Sequence, residues 1–313
     1  MKGIELSKKY FEAFGKEVLE TEFSSVLPLI AVGLAGSGSE CLGFDDEISE
    51  DHDFEPGFCI FLPDEDTVDR RTAFLLERAY AKLPKEFMGY KRSPLSPVGG
   101  NRHGVIRMED FFLEKVGSRD GRLTVGQWFT VPEQGLLEAT SGAVFFDNSG
   151  QFSAVRKRLG YFPEDIRLKK LAGKLLLMGQ AGQYNYKRCI LRGDTAAAQM
   201  AVFEFTKSAL HSIYLLNKTY MPYYKWSFKG LKGLSALGDL SGDLEHLISS
   251  GNSSDEAEKK TAIIEEICGK IADVLKAQGL TEEDGAEMEQ QAYAVNERIT
   301  DHGIRTMHIL SGV

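Results

Sequence analysis

Residues 26–54 read VLPLIAVGLAGSGSECLGFDDEISEDHDF, and three features follow one another there. An apolar run from Val26 to Leu34 ends in Gly36-Ser37-Gly38-Ser39, the pattern of a buried strand entering a glycine turn. Eight acids then fall between Glu40 and Glu55, with no Lys or Arg among them. The chain of 313 residues has 46 Asp plus Glu against 37 Lys plus Arg, net −9, so this one segment holds eight of the nine excess charges. Elsewhere acids and bases balance, and the charge describes a loop rather than a surface.

Three readings of the glycine turn fail on residues. A dinucleotide fingerprint beginning Gly36-x-Gly38 needs a third glycine where Cys41 stands. A Walker A loop from Gly38 to Gly43 needs Lys-Ser/Thr next, and Phe44-Asp45 follows. A calcium loop starting at Asp51 meets Pro56 where its sharp-turn glycine belongs and Leu62 at its bidentate Glu position. What survives is a strand, a Gly-Ser turn and, a dozen positions on, Asp51-His52-Asp53. Residues i and i+2 of a strand share a face, so Asp51 and Asp53 are expected side by side. Two carboxylates held together repel, and a Mg²⁺ ion between them removes that cost. Gly38 lets backbone approach a phosphate closely, and the Ser39 hydroxyl with the following N–H groups can donate to it; Ser37 takes that role if the turn is read one step earlier.

Outward from this stretch, residues 4–20 have helical spacing, Phe58–Leu62 reads as a strand, and 66–83 as a helix stopped by Pro84. Residues 91–102 are loop-like, His103–Met108 a strand, and Glu109–Val116 a helix ended by Gly117. From about residue 125 helical patterns dominate: 167–181, 193–218 with Asp194 as its cap, 229–249, 255–278 with Ser254 placed to cap it, and 282–299. The expectation is an α+β protein, an α/β head over 1–122 followed by a helical bundle over 123–313.

Gly38-Ser39, an eleven-residue gap and Asp51-His52-Asp53 resemble the signature of the nucleotidyltransferase superfamily, as in aminoglycoside adenylyltransferases. The runs AGSGSECLGFDDEISEDHDF, GQYNYKRCILRGD and LLNKTYMPYYKW resemble an uncharacterised bacterial family, known only as a domain of unknown function, with a nucleotidyltransferase-like N-terminal half. That resemblance runs from about residue 25 to 235. It implies a nucleotidyltransferase-like head with Mg²⁺ (or Mn²⁺) on Asp51 and Asp53. ATP or another NTP would lie on Gly38 and Ser39, and a nucleoside monophosphate would pass to a hydroxyl. It also implies a third carboxylate on a later strand. Val105–Met108 carries none, which leaves Glu109, just past that strand, or Glu204, as a base supplied from the helical half. The runner-up is a catalytically degenerate nucleotide-binding regulator or antitoxin-like partner on the same fold.

Tyr184, Arg188 and Arg192 group aromatic and basic side chains near a helix boundary, either as a nucleotide contact or as a packed corner with Arg192 paired to Asp194. Lys225, in Tyr223-Tyr224-Lys225-Trp226, is a candidate triphosphate cation or an exposed lysine beside core aromatics. Asp45, Asp46 and Glu47 read as loop acids. The acidic total argues against broad nucleic-acid binding, with an RNA end left open as an acceptor. Four dispersed cysteines form no zinc spacing, and six histidines share no ligand spacing. No run approaches the ~20 apolar residues a membrane helix needs, and the N-terminus lacks a signal-peptide core, so the expected location is the cytoplasm. A homodimer is left open.

Overall fold

A computed structural model of the chain describes residues 1–51, 54–92 and 102–313, with Glu50 and Asp51 described by backbone alone. It is an α+β protein, an N-terminal mixed four-stranded sheet among helices followed by a mostly helical part. The chain divides into two compact units. The first holds Met1–Leu123 and Val131–Gly160; the second holds Thr124–Thr130 and Tyr161–Val313.

In the first unit α1 (Gly3–Tyr10) runs through a π-helical turn at Phe11–Gly15 into α2 (Lys16–Glu22). Pro28 sits in a 3-10 turn, Leu27–Leu29, so the expected long strand is confined to β1 (Ala31–Leu34). A proline without an N–H suits such a turn better than a central strand. The four-residue helix α3 (Ser39–Leu42), a 3-10 turn at Glu47–Asp51, β2 (Cys59–Leu62) and α4 (Arg70–Lys82) follow. A short hairpin, β3 (Glu86–Phe87) and β4 (Tyr90–Lys91), precedes β5 (Gly104–Arg107) and α5 (Met108–Val116), which Gly117 ends in the left-handed region. The sheet order is β5-β2-β1 and then β6 (Ala143–Asp147). β2 pairs parallel with β5, whereas β1 pairs antiparallel with both β2 and β6.

β6 is why residues 131–160 cluster with the first unit, beyond the boundary expected at 122. It runs opposite β1, with a register shift between Val32 and Gly33. A Cβ at Gly33 would overlap the carbonyl oxygen of Ala143, so only glycine lets the strands approach this closely there. Every residue of β1 and β2 is buried, as in a strand covered on both faces. Phe58, Ile60 and Leu62 join Tyr10, Phe11 and Val32 in the core on one side. On the other, Phe61 stacks on Phe152 of α8 (Gln151–Arg158) with ring centroids 4.0 Å apart, and Phe111 and Phe112 close the cluster.

The second unit contains α6 (Val125–Thr130), although α7 (Glu133–Thr140), next in sequence, belongs to the first. Its centre is α9 (Glu164–Met178), which continues through a π-helical segment at Gly179–Tyr186 into α10 (Lys187–Leu191) and packs against α11 (Thr195–Leu216). Asp194 caps α11 as expected, its carboxylate accepting from the Ala197 N–H at 2.9 Å. Around these lie α12 (Tyr224–Leu231), α13 (Ser241–Ser249), α14 (Ser254–Ala277), α15 (Met288–Glu297) and α16 (His302–Thr306). Ser254 is the first residue of α14 rather than its cap; Ser253 holds the cap position and makes no side-chain cap bond. Among the described residues no helix is long and apolar enough to cross a membrane.

Candidate functional site

The glycine turn leaves the end of β1 and passes directly into α3. Gly36 and Gly38 have φ of +117° and +128°, a region L side chains rarely adopt. The Gly36 carbonyl accepts from Ser141 Oγ at 3.2 Å, and the Gly142 N–H donates to the Cys41 carbonyl at 2.9 Å, so the approach to β6 buttresses the turn. Ser37, Gly38 and Ser39 are half-buried. No side chain caps α3.

Because β1 is antiparallel to β2, with Gly33 opposite Cys59, the turn lies at the end where β2 and its parallel neighbour β5 begin. The segments entering those strands meet there. His103 Nδ1 lies 3.1 Å from Glu55 Oε1, and the His103 ring fills the space a Cβ at Gly57 would need.

The residue that sequence reasoning missed is Glu40. Its carboxylate sits where a Gly38 side chain would be, and only 8% of the residue is exposed. Burial pushes its carboxyl above the ordinary range; its own backbone N–H and the charges of Arg102 and His103 oppose that, and Asp45 adds to it. Glycine at 38 is therefore required twice, for its backbone angle and for the room it leaves Glu40. The signal in the sequence was the position, two residues past Gly38, but a run of eight acids looks like solvated loop.

Asp45 stands in a loop, as expected, but is buried rather than solvated. It is 4% exposed, Oδ2 accepts the Gly3 N–H at 2.8 Å, and the Lys2 ammonium lies 3.3 Å from Oδ1. It binds the first turn of α1, where a negative charge meets the positive end of the helix dipole. One of the eight acids is thus a structural tie to the N-terminus.

The expected carboxylate pair is placed only in part. Asp51 ends a 3-10 turn and is not on a strand, so strand alternation does not set its direction; its side chain, His52 and Asp53 lie outside the described residues. β2 begins later, at Cys59, after Pro56 and Gly57 have turned the chain. Among the described residues no group of three or more His, Cys, Asp or Glu is arranged to hold a metal. Glu109 stands in the first turn of α5, 3.2 Å from Arg119, past the far end of β5 from the glycine turn.

Glu204, Arg192, Tyr184 and Lys225 belong to the second unit. Glu204 is half-buried on α11. The Arg188 guanidinium donates to the Tyr184 hydroxyl at 2.6 Å and lies 4.6 Å from its ring centroid; Arg192 is exposed just after α10. Asp194 is committed to its cap. Lys225 is exposed with its ammonium 5.3 Å from the Trp226 ring, and Lys229 approaches the same ring at 5.0 Å.

The family described as a domain of unknown function (DUF4037) matches residues 128–227. The matched stretch includes β6 and α9 to α11 and leaves out the glycine turn and the acidic segment. No curated protein matches the chain.

Proposed function

We propose that the chain is a Mg²⁺-dependent nucleotidyltransferase that moves a nucleoside monophosphate from an NTP, with ATP the expected donor, to a hydroxyl acceptor. The observation that carries the reading is the turn: a buried strand delivers two glycines at positive φ and then Ser39 at the edge where two parallel strands begin. Such a turn brings backbone N–H groups and a hydroxyl within reach of phosphate oxygens.

The acceptor oxygen attacks the α-phosphorus and gives up its hydroxyl proton to solvent, the bond from the α-phosphorus to the oxygen bridging the β-phosphate breaks, and pyrophosphate leaves with that electron pair. Asp51 and Asp53 are the hard oxygen donors Mg²⁺ prefers, and the ion would supply charge neutralisation at the phosphoryl group. Gly38 and Ser39 hold and orient the phosphates.

The test is pyrophosphate release from α-labelled NTPs with Mg²⁺ and a panel of hydroxyl acceptors. Release that Asp53→Ala abolishes supports the reading; absence of both release and Mg²⁺-dependent ATP binding refutes it. The placement of Glu109 beyond the far end of β5 favours a second reading, a nucleotide-binding regulator without turnover. Calorimetric ATP binding with no pyrophosphate from any acceptor would select it.

A further inference from the structure

Exposed charges on the first helices of the chain are matched along the helix. Lys8 faces Glu12, Lys9 faces Glu5 and Lys16 faces Glu20, each pair four residues apart, at 3.9, 2.7 and 3.9 Å. One face of α4 lacks that matching. At ~100° per residue, Arg71, Phe74, Leu75, Arg78 and Lys82 fall within an arc of about 100°, and every one of them is exposed. Leu75 stands four residues after Arg71, where an acid would pair with it, and Lys82 stands four after Arg78, a like-charge spacing that weakens a helix. Glu77 lies outside the arc, and so does Arg70, which pairs with Glu65 at 2.7 Å. Phe74 is 55% exposed and Leu75 46%, with the Arg78 guanidinium 5.9 Å from the Phe74 ring centroid. The opposite side of the helix carries Leu76 and Tyr80 into the core.

The same unit presents the complement. In the segment after α3, Asp46 accepts from the Ser49 N–H and hydroxyl at 3.2 and 3.1 Å and so holds the turn together. Glu47 is left exposed, and Ile48, at 81%, is the most exposed large apolar side chain among the described residues. Among the described residues Glu47, Arg71, Arg78 and Lys82 have no ion-pair partner.

Each patch thus sets bare apolar area beside unpaired charge, and the two charges are of opposite sign. We infer that the chain self-associates through them, the Glu47–Ile48 turn of one copy seating on the α4 face of a second. Ile48 then covers Phe74 and Leu75, and Glu47 meets the flanking cations. About a two-fold axis each copy gives one turn and receives one, so the contact is made twice. A contact of this size is weak when made once, and its charges are screened by salt, so the dimer depends on both protein concentration and ionic strength. The inference does not rest on the nucleotidyl-transfer reading.

Sedimentation velocity of the full chain at rising concentration in low salt reads the association. The wild type is expected to pass from monomer to dimer, and added salt to reverse it. Arg78→Glu and Glu47→Lys both change exposed positions, and each alone should weaken dimerisation at least about tenfold, because two-fold symmetry counts every lost contact twice. An equimolar mixture of the two variants is the sharpest arm. Arg78→Glu has a reversed helix face and an unchanged turn, Glu47→Lys the converse, so both contacts of the mixed pair are attractive again and a heterodimer should form where neither variant dimerises alone. A wild type that stays monomeric at every concentration overturns the proposal, as does dimerisation that survives either reversal, or a mixture that fails to associate. Co-sedimentation with phosphatidylserine vesicles runs in parallel, and binding by a chain that remains monomeric would assign the α4 face to an anionic lipid surface instead.

Discussion

Gly33→Ala tests the least local element of the first unit. A Cβ on residue 33 would lie 3.0 Å from the Val144 Cα and closer still to the Ala143 carbonyl oxygen. Carbon atoms in contact sit ~3.5–4.0 Å apart, so β6 must retreat by about 0.5–1 Å. Both clashing atoms are backbone, and no rotamer change relieves them. The retreat strains the pairing at Gly33–Val144 and Leu34–Ala143 and the Gly142–Cys41 hydrogen bond beside the glycine turn. Overpacking of this kind costs about 1–3 kcal/mol, and a hydrogen bond lost with it about 1 kcal/mol more. The expected loss is therefore about 2–4 kcal/mol. Both tryptophans, Trp128 and Trp226, belong to the second unit, so fluorescence would miss the change. Hydrogen exchange at the amides of β1 and β6 reads it directly, with protection falling together in both strands. Wild-type protection in Gly33→Ala would refute the close approach of these strands, and with it the assignment of residues 131–160 to the first unit.

Lys169→Met keeps the aliphatic stem but leaves Asn296 Oδ1 and the Arg305 and Met307 carbonyls without their shared donor. A loss of about 1–3 kcal/mol is expected in denaturant unfolding followed by tryptophan fluorescence, and wild-type stability would contradict the network. Glu40→Gln should be more stable than the wild type at neutral pH. Because burial raises the Glu40 carboxyl in the folded state, wild-type stability is complete below the ordinary value of 4.5 and declines as pH rises through the folded value. The advantage of the glutamine therefore opens as pH climbs from about 4.5; denaturation by circular dichroism across that range checks it, and a pH-independent difference would count against a buried carboxyl.

Much of the first unit is written locally. Phe58–Leu62 is short, apolar and bounded by turn residues, and it forms β2; Asp194 and Gly117 mark helix ends where they stand in sequence. β6 is not legible in the sequence, because AVFFD gains its meaning only from β1, to which no local signal points. The same limit applies to the site. Gly38 and Ser39 announce themselves by type and spacing, whereas Glu40 and Asp45 are buried by contacts with Gly38, Gly3 and Lys2 that no charge count reveals. The Asp-x-Asp spacing led to the expectation of a strand-borne pair, whereas Asp51 ends a 3-10 turn.

The antiparallel partner that completes the sheet leaves the ribosome roughly a hundred residues after β1. At about 5–20 residues per second that is ~5–20 s of synthesis. Throughout that interval the β1 edge is bare, apolar and able to pair with any other extended chain. Helix α6 must meanwhile be set aside for a unit that has yet to be made. Nascent chains truncated before Ala143 should therefore be the species most dependent on a holdase during translation, and shortening the gene at residue 122 would make that transient state permanent.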